Sequence, residues 1–128
     1  MTTLNRALEL IQDRLPPHVL LSVNAAMPIP ADSDEVNVKH FSLSRIADPE
    51  TMRDISLTRL RGAVKYSNPI VEELQKKIRF LDESLQAVSK PEIWHAYYVE
   101  GTRVINFFID LRRSEVLETE YVQRPDSR

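Results

Sequence analysis

The strongest constraint on the fold of this chain is a run of six apolar residues, Val71, Leu74, Ile78, Leu81, Leu85 and Val88, spaced three, four, three, four and three apart. That rhythm keeps one stripe of an α-helix apolar along its whole length. Asn68 and Pro69 stand just before it, a capping side chain followed by a ring that pre-sets the helical φ, so a helix is expected from Asn68 to about Val88. On the far side Glu72 precedes Lys76, and Glu73 precedes Lys77, each by four residues in the order that supports a helix; that side reads as solvated. Phe80 falls outside the stripe, beside Lys76 and Ala87, and is expected to point away from it.

A stripe of this length needs a surface to cover, and the sequence after it supplies one. Lys90 and Pro91 break the helix, after which Ile93–Val99, Val104–Leu111 and Val116–Val122 read as an antiparallel meander with a glycine-bearing turn at 100–102 and a polar turn at 112–115. In the middle strand Ile105, Phe107, Ile109 and Leu111 share a core face. Ahead of the long helix, Asp48, Pro49 and Glu50 start another, expected to reach about Tyr66, whose apolar residues Met52, Ile55, Leu57, Leu60, Ala63 and Val64 spread over more than half its circumference. Near the beginning, Leu4, Leu8, Ile11 and Leu15 mark an amphipathic helix stopped by Pro16 and Pro17. Two short runs, His18–Val23 and Val36–Leu43, read as strands, the second with a slip in alternation near His40 and Phe41 that suggests a bulge. Residues 27–35 form an acidic, proline-bearing loop expected to be mobile and exposed, and the polar tail 123–128 is expected to fray. The expectation is a single α+β domain over 1–128, ordered α-β-β-α-α-β-β-β, with an antiparallel sheet of about four to five strands and two to three helices.

Composition narrows the chemistry. The chain has no cysteine, which removes disulfides, thiolate nucleophiles and sulfur-ligated metals, and fits a reducing compartment. No secretory leader or membrane span is apparent in the sequence, so a cytoplasmic location is expected. Net charge is −3 over residues 1–50, +3 over 51–90 and −2 over 91–128, so the two central helices are basic between acidic flanks.

Motifs for catalysis are weak. His18, His40 and His95 lack the spacing of a metal site, and no metal or other cofactor is expected. The run Asp32, Ser33, Asp34, Glu35 begins like a calcium loop but lacks its glycine and distal glutamate. Glu118 and Glu120 share a strand face that Asp110 could approach, an arrangement that also serves simply to guard a sheet edge. With only two glycines, phosphate-cradling loops are absent, and a non-enzymatic role is expected.

The expectation for function follows from surplus. The long helix and the meander carry more apolar surface than two layers hide, and Phe80, Lys76, Ala87, Trp94, Tyr98 and Phe108 are the expected contact residues of a protein interface, in a homodimer or with another partner chain. This describes an assembly, adaptor or inhibitor-like component, a type that also occurs among phage and mobile-element proteins, by association only. The alternatives are a nucleic-acid-binding regulator using Arg59, Arg61 and Lys65, and a small-ligand binder or enzyme whose site the sequence does not announce.

Overall fold

Two adjacent prolines organise the first third of the molecule. The computed structural model describes residues 3–30, 32–64 and 70–122. In it α1 (Thr3–Ile11) ends in one 3₁₀ turn (Gln12–Arg14), and Leu15 is extended, as the ring of a following proline favours. Pro16 then serves as N-cap and Pro17 as first residue of α2 (Pro17–Ala25), where a missing N–H costs nothing. The strand expected at His18–Val23 is therefore a helix: Val19 and Val23, four apart, are buried, while Leu21 between them is 72% exposed. A short apolar run without alternation does not distinguish strand from helix, and here the proline at its start decides.

The second expected strand, Val36–Leu43, is a hairpin of β1 (Glu35–Val38) and β2 (Phe41–Arg45). Lys39 and His40 make its two-residue turn, His40 adopting a φ of 66°, and Val38 pairs with Phe41. The slip in alternation marks the reversal of the chain and not a bulge. In the loop before it, Met27 and Ile29 pack against the core, while Asp32, Asp34 and Glu35 are exposed as expected, Asp34 meeting the Arg45 guanidinium at 3.1 Å.

Asp48 caps α3 (Pro49–Val64) as expected, accepting the Thr51 N–H at 3.1 Å and the Thr51 hydroxyl at 2.7 Å. The long helix is α4 (Ile70–Ala87); the capping pair Asn68 and Pro69, Tyr66 and the tail 123–128 lie outside the described residues. The meander forms as read, with β3 (Ile93–Glu100), β4 (Arg103–Asp110) and β5 (Glu115–Val122), and Gly101 turns the first hairpin at a φ of 63°, where a side chain would be strained.

All five strands join one antiparallel sheet in the order β1-β2-β3-β4-β5. The fold is α+β with element order α-α-β-β-α-α-β-β-β, four helices where two to three were expected. One sheet face, bearing Phe41, Leu43, Trp94, Ala96, Tyr98, Ile105, Phe107 and Ile109, is buried in a single apolar cluster with Leu4, Ala7, Leu8, Ile11, Val19 and Val23 of α1 and α2. The other face meets α4, whose Ser84 hydroxyl donates to Asp110 at 2.6 Å, while α3 packs along α4 and is tied to it by Arg53 and Asp82 at 3.1 Å. Among the described residues no helix is long and apolar enough to cross a membrane.

Candidate functional site

The residues expected to form a protein interface are mostly interior. Trp94 and Tyr98 lie on the sheet face beneath α1 and α2, and Phe108 lies on the opposite face. Phe80 does leave the stripe of α4, yet it is 7% exposed, because the Arg113 guanidinium closes over its ring at 5.3 Å. Lys76 and Ala87 are exposed, Lys76 pairing with Glu72 at 3.2 Å as expected. Four of the six expected contact residues, Phe80, Trp94, Tyr98 and Phe108, are thus hidden within one subunit, while Tyr97 and Tyr121 of the meander are exposed.

Exposed apolar side chains are scattered singly at Leu21 of α2 and at Tyr97, Tyr121 and Val122 of the meander, and α3 as a whole helix is poorly covered. Of its sixteen residues only Ser56 is buried, whereas Ile55 and Val64 are each 56% exposed and Met52, Leu57, Leu60 and Ala63 are half-buried. Its apolar residues are spread too widely for one neighbour to cover, and among the described residues its main neighbour is α4. Arg59 and Arg61, two residues apart, project about 200° from each other around this helix and do not converge, and Lys65 lies outside the described residues.

Between α3, the β2–α3 connection, α4 and the second sheet face lies an open cleft of about 410 Å³. Its floor includes Ser44 of β2 and His95 of β3, its apolar wall is Ile46, Met52 and Ile55, and three cations line it, Arg45 of β2, Arg59 of α3 and Lys77 of α4. Lys77 is the residue that sequence reasoning placed on the solvated side of its helix. In the fold Glu73 and Lys77 turn towards the sheet: Glu73 accepts the Thr119 hydroxyl at 3.3 Å, and the Lys77 ammonium stands 5.1 Å above the Phe108 ring. Burial lowers the pKa of Lys77, the nearby Arg59 lowers it further, and Glu73 opposes both. His95 stacks on the same Phe108 ring at 4.8 Å and donates from Nε2 to Asn106 Oδ1 at 2.8 Å. Burial lowers its pKa, the Asn106 bond works against that, and Lys77 adds to it.

The three histidines lie apart, His18 exposed on α2, His40 exposed in the β1–β2 turn and His95 at the cleft. The carboxylates considered together also separate. Glu118 and Glu120 occupy the α1/α2 side of the sheet and pair with Arg14 at 3.2 Å and Arg103 at 2.8 Å, whereas Asp110 is fully buried on the other side. Asp110 accepts from Ser84, from Arg113 Nε at 2.7 Å and from the Arg112 N–H at 3.0 Å, a latch joining α4 to the β4–β5 turn. Burial raises the pKa of its carboxyl, but the bonds from Ser84 and Arg113 outweigh that and hold it below the ordinary range. Compared with family models, with curated proteins and with solved structures, the chain finds no match.

Proposed function

We propose that this chain is a protein-interaction module, an assembly or adaptor component that self-associates through α3. The observation that supports it is the helix's own burial: sixteen residues, six of them apolar, of which a single serine is enclosed. A helix apolar on most sides belongs in an interior, and among the described residues α4 is the main wall that its own subunit provides.

A second copy of the chain is the occupant that the charges favour. Glu50, Asp54, Leu57, Arg61 and Val64 stand four, three, four and three apart, which places them in one stripe along a flank of α3. Read in order, the stripe is acidic, acidic, apolar, basic, apolar. Antiparallel pairing about a two-fold axis near Leu57 sets each Asp54 opposite the other copy's Arg61 and buries Leu57 at the centre; parallel pairing sets like charges together.

Sedimentation of the full chain over about a hundredfold range of concentration tests this, with a monomer–dimer equilibrium expected. Asp54→Arg and Arg61→Asp each weaken the dimer by roughly tenfold, and the two together restore it, because the charges are exchanged and not removed. Both sites are exposed, so the fold is expected to survive in either variant. A chain that stays monomeric throughout, or a dimer indifferent to these substitutions, defeats the proposal.

A further inference from the structure

We infer that the cleft between α3, α4 and the β2–β3 part of the sheet is a binding site for a small organic oxyanion, an apolar body carrying a phosphate or carboxylate group. This inference is separable from self-association, because none of the stripe Glu50, Asp54, Leu57, Arg61 and Val64 lines the cleft. Lys77 and Arg59 enter the cleft from separate helices, and neither has a carboxylate within ion-pair distance among the described residues. Nor does the lining supply one. Its only carboxylate is Asp48, whose two oxygens are taken by Thr51 in capping α3, and its third cation, Arg45, is already held by Glu92 and Asp34.

A half-buried ammonium beside a second cation, with Glu73 acting on it only from beyond ion-pair distance while accepting from Thr119, is an arrangement that an incoming anion stabilises. The surroundings define the rest of the ligand. Ser44 adds a hydroxyl at the floor, His95 is positioned there by its bond to Asn106 and its stacking on Phe108, and Met52 and Ile55 offer an apolar wall. A volume of about 410 Å³ accommodates a ring-sized body together with its anionic group and falls within the range of small-molecule sites. Inorganic phosphate alone would satisfy the cations and leave the wall unused.

The test is an amide NMR titration of the full chain at low salt with phenyl phosphate, benzoate and inorganic phosphate. Phenyl phosphate and benzoate share the apolar body and separate the two anion types; inorganic phosphate lacks the body. Shifts centred on Ser44, Ile55 and His95 are expected for at least one of the two aromatic anions, with affinity at least about tenfold above that of inorganic phosphate. Lys77→Met preserves the bulk of the side chain and Arg59→Gln changes an exposed residue, and each is expected to cut that affinity roughly tenfold. Loss of binding in the well-folded Arg59→Gln variant is decisive even if Lys77→Met proves unstable. Absence of shifts with both aromatic anions, shifts elsewhere on the surface, or binding unchanged in both variants overturns the inference.

Discussion

The two faces of the sheet are built on different principles. The face under α1 and α2 is an unbroken apolar surface, from Leu43 and Phe41 through Trp94 and Ala96 to Phe107 and Ile109, and its helices contribute Leu, Ile, Val and Ala. The face towards α4 mixes Ile93 and Phe108 with His95, Asn106, Asp110 and Thr119, and α4 answers with Ser84 and Glu73. Among the described residues every buried side-chain polar atom has a hydrogen-bond partner. The first face gains its stability from area, which is insensitive to angle. The second uses directional bonds that fix how α4 sits, and beyond the reach of α4 it leaves polar sheet accessible, where the cleft lies.

Truncation of the large rings is the strongest way to break this comparison. Phe107→Ala, at a fully enclosed position on the apolar face, is expected to cost about 3–5 kcal/mol by denaturant unfolding. Phe108→Ala, its neighbour on the other face, is expected to cost less, because Lys77 and His95 above the ring border an open cleft and can settle into the space. Equal costs, or the reverse order, would mean that the two faces are not different in kind.

The latch at Asp110 gives the next effect. Asp110→Ala removes the buried acceptor shared by Ser84, the Arg113 guanidinium and the Arg112 and Arg113 N–H groups; Ser84 keeps the Phe80 carbonyl and Arg113 keeps Glu83 and Glu115, and about 2–4 kcal/mol of stability is expected to go. Acid has the same target. Because the folded state holds the Asp110 carboxyl below its ordinary pKa, the unfolded chain takes up a proton first as pH falls. The contribution is therefore complete above the unfolded carboxylate range and is lost as pH drops through the folded value. Urea unfolding at a series of acidic pH values should show that slope in the parent chain and a shallower one in the alanine variant.

The sequence made the apolar face easier to read than the polar one, for a physical reason. Periodicity reports how often a residue type recurs, so the meander and the stripe of α4 were legible, as was the proline-led start of α3. It does not report which side of a wide helix meets the sheet. Glu73 and Lys77 are spaced like a solvated pair, and only the packing of α4 turns them inward, so the cleft could not be found from their spacing. Phe80 was misplaced likewise, since the Arg113 that covers it is thirty-three residues away. The prolines carried a recoverable signal that was missed: Pro16 and Pro17 end one helix and begin the next, and only the first role was read. The hairpin at Lys39 and His40 was less legible, because neither residue is a usual turn former.

The smallest expected effect is at His95, and it separates the polar face into its two halves. His95→Phe keeps the ring over Phe108 and removes the Nε2 donor, so Asn106 Oδ1 loses its partner at a position that is nearly buried; about 1–2 kcal/mol is expected. The pH dependence has a distinct window from that of Asp110. Burial keeps the folded imidazole neutral to lower pH than an ordinary histidine, so on acidification the unfolded chain is protonated first and the folded state loses stability through the ordinary histidine range, levelling off below the folded pKa. Since carboxylates titrate lower, His95 should weaken its half of the sheet before Asp110 weakens the other. An NMR titration of the imidazole checks the order directly: a His95 midpoint at or above the ordinary histidine value would contradict the burial argument and with it the covered floor of the cleft.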